Sequence, residues 1–294
     1  MATGATVAKE VFGIYRPGST HMVGDGFPVR NLFPSNDLDQ AVDPFLLLDY
    51  AGPEYFGPTD RPNGVGEHPH RGFETVTIVY GGLVAHRDSA GNAGVIGPGD
   101  VQWMTAASGV VHEEMHEKTW AKKGGVLQAI QLWVNLPQVQ KMSEPRYQTI
   151  RNVDIPNVDL DGGVGRLRVI AGTVQGWKGP ARTVTPIELY DLQLRKNRRI
   201  ELNLPDGHNT SIFVVMGRAS VNGSRQVKEA ELVVCKREGS LVAIEAQRDS
   251  LLLVMSGEPI NEPIARYGPF VMNTKAELVQ AVNDYQAGKM GHLS

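Results

Sequence analysis

Apolar and polar positions alternate over short stretches along the whole chain, with Gly and Pro interrupting them about every ten residues. Thr75-Val-Thr-Ile-Val-Tyr80 runs into Gly81-Gly82, Val126–Val134 stops before Asn135 and Pro137, and Ser211-Ile-Phe-Val-Val-Met216 stops at Gly217. These segments are rich in Val, Ile and Thr, whose branched side chains suit a pleated strand. An all-β fold is predicted. Only the tail keeps helical spacing, at Ala276, Leu278, Val279, Val282 and Tyr285, with Asn273 or Thr274 as cap and Gly288 as stop.

Laying Tyr80-Gly81 over Met216-Gly217 and Gly109 over Gly239 exposes an internal repeat. A chain of 294 residues exceeds one average domain. Two barrels in tandem are therefore expected, residues 1–148 and 149–294. The linker is placed between Asn135-Leu-Pro137 and Tyr147, a polar stretch without apolar periodicity.

Composition narrows the function classes. The net charge is −3 with Lys and Arg scattered, so no basic stripe offers itself to phosphates, and direct nucleic-acid binding is not expected. The apolar runs are strand-length, and the first ten residues lack a basic segment followed by an apolar core, so neither a membrane span nor a secretory leader is expected. The single Cys235 sits in Leu232-Val-Val-Cys235, where it reads as a small buried hydrophobe, and a cytoplasmic setting follows.

The chemistry concentrates in two pairs. His68 and His70 are two residues apart, as are His112 and Glu114. In a strand, residues i and i+2 project to the same side, so each pair can present two ligands together. Three imidazoles and a carboxylate suit a divalent first-row transition metal better than calcium or magnesium. Glu113 has the opposite parity and is expected to face away. His116 shares the parity but lies roughly 13 Å beyond His112 along a strand, which places it at the surface or the pocket rim. Offsets of thirteen and eleven residues before Gly81 reach His68 and His70, whereas the same offsets before Gly217 reach Leu204 and Asp206. Offsets of three and five after Gly109 reach His112 and Glu114, and after Gly239 they reach Val242 and Ile244. The second barrel is thus expected to lack metal ligands.

His68-x-His70-x-x-x-Glu74 before Gly81 resembles the first cupin motif, and Gly109-x-x-His112 the core of the second. Asp43–Asp49, His68–Thr75, Pro98–Ala106, Leu132–Leu136, Glu262–Ile264 and Gly268–Thr274 closely resemble the pirin family. The resemblance implies two cupin barrels of jelly-roll type with a short C-terminal helix, and a metal in the first barrel only. It implies Fe(II) as the metal, though other first-row ions could fill the same ligands. Many cupins take their carboxylate from the first motif, here Glu74, but the pirin pattern takes it from the second, here Glu114. Gly72 can break the alternation between His70 and Glu74, which leaves Glu74 either behind the ligands, holding Arg71 or a ligand imidazole, or in an exposed structural role. The ion with these four ligands carries a net charge of plus one and favours a monoanion such as a deprotonated flavonol. Quercetin 2,3-dioxygenase-like cleavage, using O2 and releasing CO, is the implied activity, with Glu114 as ligand and base. The family also implies an alternative, an iron-dependent, redox-responsive regulator acting through a protein partner.

Overall fold

The computed structural model describes residues 7–34 and 36–293. It forms two all-β units, the expected pair of cupin barrels, each made of a seven-stranded and a four-stranded antiparallel sheet with one small hairpin. In the first barrel the large sheet runs in the order Arg146–Ile150, Val101–Thr105, Phe73–Gly81, Gly125–Asn135, Phe45–Phe56, Phe27–Phe33, His21–Val23. Its small sheet runs Gly64–His70, Val110–His116, Val84–Asp88, Ala93–Ile96. The second barrel repeats this order strand for strand. Its large sheet is Val11–Tyr15, Leu232–Cys235, Asn209–Met216, Ser250–Gly257, Ile187–Leu194, Gly165–Ala171, Asn157–Asp159, and its small sheet is Arg199–Asn203, Leu241–Ala246, Arg218–Val221, Val227–Lys228.

The chain does not divide once near residue 148. Residues 18–34, 45–152 and 260–293 make the first barrel, and residues 7–17, 36–44 and 153–259 make the second. The reason lies in the edge strands. The first barrel's edge next to Val101–Thr105 is filled by Arg146–Ile150, which follows that barrel in sequence, whereas the second fills the equivalent edge with Val11–Tyr15 from the start of the chain. The stretch expected as a linker belongs wholly to the first barrel. Lys141, on its polar face, is 1% exposed and donates to the carbonyls of Gly72 and Val271 and to Asn135 Oδ1. Burial draws its ammonium down to about 8.

The pairing register also corrects the sequence overlay. His112 stands opposite His68, and Val110 opposite His70. In the second barrel Val242 stands opposite Leu202, and Leu204 N donates to Ser240 O. The residues matching His68 and His70 are thus Leu202 and Leu204, two positions earlier than counting from Gly217 suggests. Two residues separate Gly64–His70 from the next strand, but five separate Arg199–Asn203 from its successor, so an offset counted through the turn slips. Leu202, Leu204, Val242 and Ile244 all lie in the core of that barrel.

The tail is helical from Lys275 to Gln286, with Thr274 and Glu277 forming a reciprocal capping box. Leu278, Ala281 and Asp284 form its buried side, while Val279 is 61% exposed, so the expected apolar face is turned by part of a turn. Leu278 and Ala281 pack with Val111, Phe270, Met272 and Met290. Val111 is the outward neighbour of His112, so the helix covers the back of the strand that presents the site. Two further short helices, Asp39–Val42 and Lys118–Lys123, lie outside any helical spacing seen in the sequence.

Candidate metal centre

Strand parity builds the site. Along Val110–His116, His112, Glu114 and His116 are buried, whereas Glu113 is partly exposed and accepts from Arg87 Nε at 2.6 Å. On the neighbouring strand His70 is buried and His68 half-buried. Across the pair, His112 faces His68 directly. One nitrogen each from His68, His70 and His112 can lie within 4.8 Å of the others, the one such grouping of three metal-capable side chains among the described residues.

Each ring is held by its Nδ1. His68 Nδ1 meets Gly66 O at 2.8 Å, His70 Nδ1 meets Pro269 O at 3.4 Å, and His112 Nδ1 lies 3.3 Å from His86 Nδ1. His112 Nε2 is buried with no hydrogen-bond partner among the described residues. A buried nitrogen in that state has lost water and gained nothing. A divalent ion fits it. Burial, assisted by the neighbouring imidazoles, holds His112 well below the ordinary histidine range and His70 down at about 3, so both rings are neutral donors.

Glu114 shares the cavity wall with His68 and His70. Its Oε1 accepts from Thr77 Oγ1 at 3.1 Å and Gln102 Nε2 at 3.4 Å, and its Oε2 accepts from Gln131 Nε2 at 2.8 Å. Those donors belong to one row. Thr149, Gln102, Thr77, Gln131, Asp49 and Asn31 stand opposite one another in successive strands of the large sheet. The same row in the second barrel reads Ile14, Val233, Ile212, Val254, Tyr190 and Val169. One barrel carries a polar seam through its interior where its twin carries an apolar one, broken only by Tyr190, whose hydroxyl donates to Thr173 O and Glu188.

In front of the imidazoles lies a cavity of about 280 Å³. Val23, Phe27, Val29, Leu47, Val65 and Trp133 supply apolar wall, and Asp49, Gln131 and Thr77 are among its polar points. Burial raises the Asp49 carboxyl, against the pull of the 2.7 Å hydrogen bond from Asn31 Nδ2.

Glu74 lies elsewhere. Gly72, at φ 89°, ends one strand before Phe73 begins the next, and a Cβ there would meet Val271 O at 2.0 Å. Glu74 therefore sits in the large sheet, fully buried, with Thr105 Oγ1 donating to it at 2.6 Å. Burial lifts it to about 7 against the pull of Thr105, Trp103 and Arg146. Arg71 is held instead by Ser108 O and Asp284, and the three candidate imidazoles by the partners named above. His116 is also corrected: it is 1% exposed, bonded through Nε2 to Gly26 O, with Phe27, Phe56 and Trp120 around it. Sequence reasoning missed His86, Gln102, Gln131, Thr77 and Asp49. Their signal was polar residues at the inward positions of strands that otherwise read as core.

Comparison with known proteins bears on the same two barrels. Residues 26–134 match a family model described as Pirin, and residues 189–291 one described as Pirin C-terminal cupin domain. A Pseudomonas aeruginosa protein with a provisional quercetin 2,3-dioxygenase name is 52% identical over 281 residues, covering 96% of this chain and 98% of that one. Pirin of Rattus norvegicus is 36% identical over 273 residues, covering 91% of this chain and 89% of its own. The crystal structure of a quercetin 2,3-dioxygenase from Acinetobacter baumannii has 48% identity and a TM-score of 0.94, covering 98% of this chain and all of that one (100%).

Proposed function

Because this chain belongs to the pirin family, we propose that its first barrel is an iron-dependent dioxygenase site that cleaves a flavonol or a similar aromatic hydroxy compound, using O2 and releasing CO. The observation that carries the reading is the meeting of three imidazole nitrogens, one of them buried and unpartnered, at an apolar cavity. Its volume of about 280 Å³ is close to the lower end of the roughly 300 to 1,000 Å³ usual for small-molecule sites.

His68, His70 and His112 would hold the ion, with Glu114 as fourth ligand. Oε2 of Glu114 receives one hydrogen bond, from Gln131, and so keeps a lone pair to give. An iron ion there supplies Lewis acidity toward a ring hydroxyl and the redox capacity that oxygen chemistry needs. Glu114 is the base for the hydroxyl proton, which it takes on Oε2 as that oxygen gives up either the hydrogen bond from Gln131 or its place on the ion. Trp133 and Phe27 flank the aromatic rings, and the apolar wall excludes water from the anion so formed. Asp49, steadied by Asn31, accepts a hydrogen bond from a hydroxyl away from the reacting carbon.

The test is an assay of anaerobically iron-loaded protein with a flavonol panel, following oxygen uptake and carbon monoxide together. Both signals are expected, and both are expected to vanish in folded His112→Ala. Fully metallated protein that turns over no flavonol in the panel would remove the enzyme reading, in favour of a metal-dependent regulator acting through a protein partner.

A further inference from the structure

The hydrogen-bond chain behind His112 runs from one proposed ligand to another without passing through the metal, and every link in it has a direction. Glu114, as a carboxylate, can only accept. Gln102 must therefore turn its amide nitrogen toward Glu114 Oε1, an orientation in which Tyr147 Oη donates to Gln102 Oε1 at 3.3 Å. The second hydrogen on that nitrogen points at His86 Nδ1, 3.2 Å away. His86 Nδ1 is thereby an acceptor, so the neutral ring carries its proton on Nε2 and donates it to Asp88 Oδ2 at 3.2 Å. The one lone pair of His86 Nδ1 is then shared by two donors, Gln102 Nε2 and His112 Nδ1 at 3.3 Å, since two facing lone pairs would repel and His112 Nδ1 therefore carries the hydrogen. His112 then has its lone pair on Nε2.

We propose that Asp88 and His86 are positioning residues for the metal site: they hold His112 in its Nδ1–H tautomer, and so keep His112 Nε2 free for the ion. This rests on the reading of His112 as a ligand. The surroundings make His86 rigid enough for the role. It is 3% exposed and stacked on Tyr147 with ring centroids 4.8 Å apart and planes 14° from parallel. Asp88 is fixed in turn, since its Oδ1 accepts from the backbone N–H groups of Ala90 and Asn92 at 2.9 Å each. Strand pairing sets both in place, with Asp88 opposite His112 and His86 opposite Glu114. A carboxylate that orients a ligating imidazole is common around metals. Here a second imidazole is interposed.

Asp88→Asn separates this role from a structural one. The backbone donors of Ala90 and Asn92, joined by Asn92 Nδ2 at 3.1 Å, keep an oxygen at the Oδ1 position, so the new amide nitrogen gives up the Asn92 Nδ2 contact at Oδ2, faces His86 Nε2 and turns it into an acceptor. His86 then carries its proton on Nδ1, faces the donors of Gln102 and His112, and drives His112 toward the Nε2–H form. His86→Phe keeps the stack on Tyr147 and removes the acceptor altogether.

Long-range proton–nitrogen NMR spectra of the 15N-labelled, metal-free protein read the tautomer directly, and titration with cobalt(II) reads the affinity. In the native sequence His112 is expected as Nδ1–H. In both variants a substantial Nε2–H population and a roughly 10- to 100-fold weaker cobalt(II) affinity are expected. An Nε2–H His112 in the native protein overturns the proposal, as does unchanged cobalt(II) affinity in either folded variant. Should neither variant fold, the native spectrum decides alone. Because the tautomer is read without metal or substrate, a lack of flavonol turnover would sink the dioxygenase reading and leave this one standing.

Discussion

Adjacent glutamates in one strand have opposite surroundings. Glu113 meets Arg87 in solvent, and Glu114 meets three donors of the cavity wall and barrel interior, Thr77, Gln102 and Gln131. Exposed ion pairs contribute roughly 0 to 1 kcal/mol, so the first contact is nearly dispensable. A carboxylate beside a divalent ion is not. Glu114→Gln is expected to weaken metal binding at least tenfold, because the neutral amide is a poor ligand for a cation, whereas Glu113→Gln is expected to leave affinity within twofold. Equilibrium metal titration of the two variants decides; equal losses would mean that Glu114 is not a ligand.

At the scale of elements, the C-terminal segment completes the first barrel from the far end of the chain. Pro269 O receives His70 Nδ1, Val271 O receives Lys141 Nζ, and Asp284 on the helix pairs with Arg71 Nη1 at 2.9 Å. Arg71 is 4% exposed by its side chain and adjoins His70. Three donors, from Lys289, Arg71 and Gln280, hold the Asp284 carboxyl far below its ordinary range. Asp284→Ala leaves a buried guanidinium without its counter-charge, a change that costs about 3 kcal/mol or more. The expected result is a denaturant midpoint lowered accordingly, with metal affinity reduced as the strap over His70 loosens. A variant as stable as the native protein would show that the pair adds nothing.

The whole molecule contains its own control, because the two barrels share every strand position and differ in what fills the interior. Leu202, Leu204, Val242 and Ile244 occupy the second barrel's counterparts of the four proposed ligands, and an apolar row lies beneath them. Transplanting His68→Leu, His70→Leu and His112→Val into the first barrel is expected to take metal content from one ion per chain to none while the fold survives. Adding Glu114→Ile should then destabilise the protein further, since Thr77, Gln102 and Gln131 each lose an acceptor, at roughly 1 to 3 kcal/mol for each orphaned group. Elemental analysis and denaturation of the triple and quadruple variants measure the two effects separately. Residual metal in the triple variant would place the site elsewhere.

Strand positions, the capped terminal helix, the paired ligand candidates and the apolar interior of the second barrel could all be read from the sequence, because each depends on local spacing. A period of two states which side of a strand a residue occupies, and that was enough to separate Glu114 from Glu113 and to group His112 with it. The same rule misjudged His116, since parity says nothing about what closes over a strand's end. It groups His86 with Asp88, two residues on as Glu114 is from His112, but cannot say that the pair lies behind the site, because the link to His112 exists only through two strands pairing in one register. The polar row is the same kind of fact: its six members come from six strands, and neighbours in the sheet are far apart in sequence. The edge strand Val11–Tyr15 and the tail 260–293 join barrels on the opposite side of the expected boundary for that reason as well. Local periodicity determines which side chains turn inward; which inward side chains meet is decided by non-local pairing and packing.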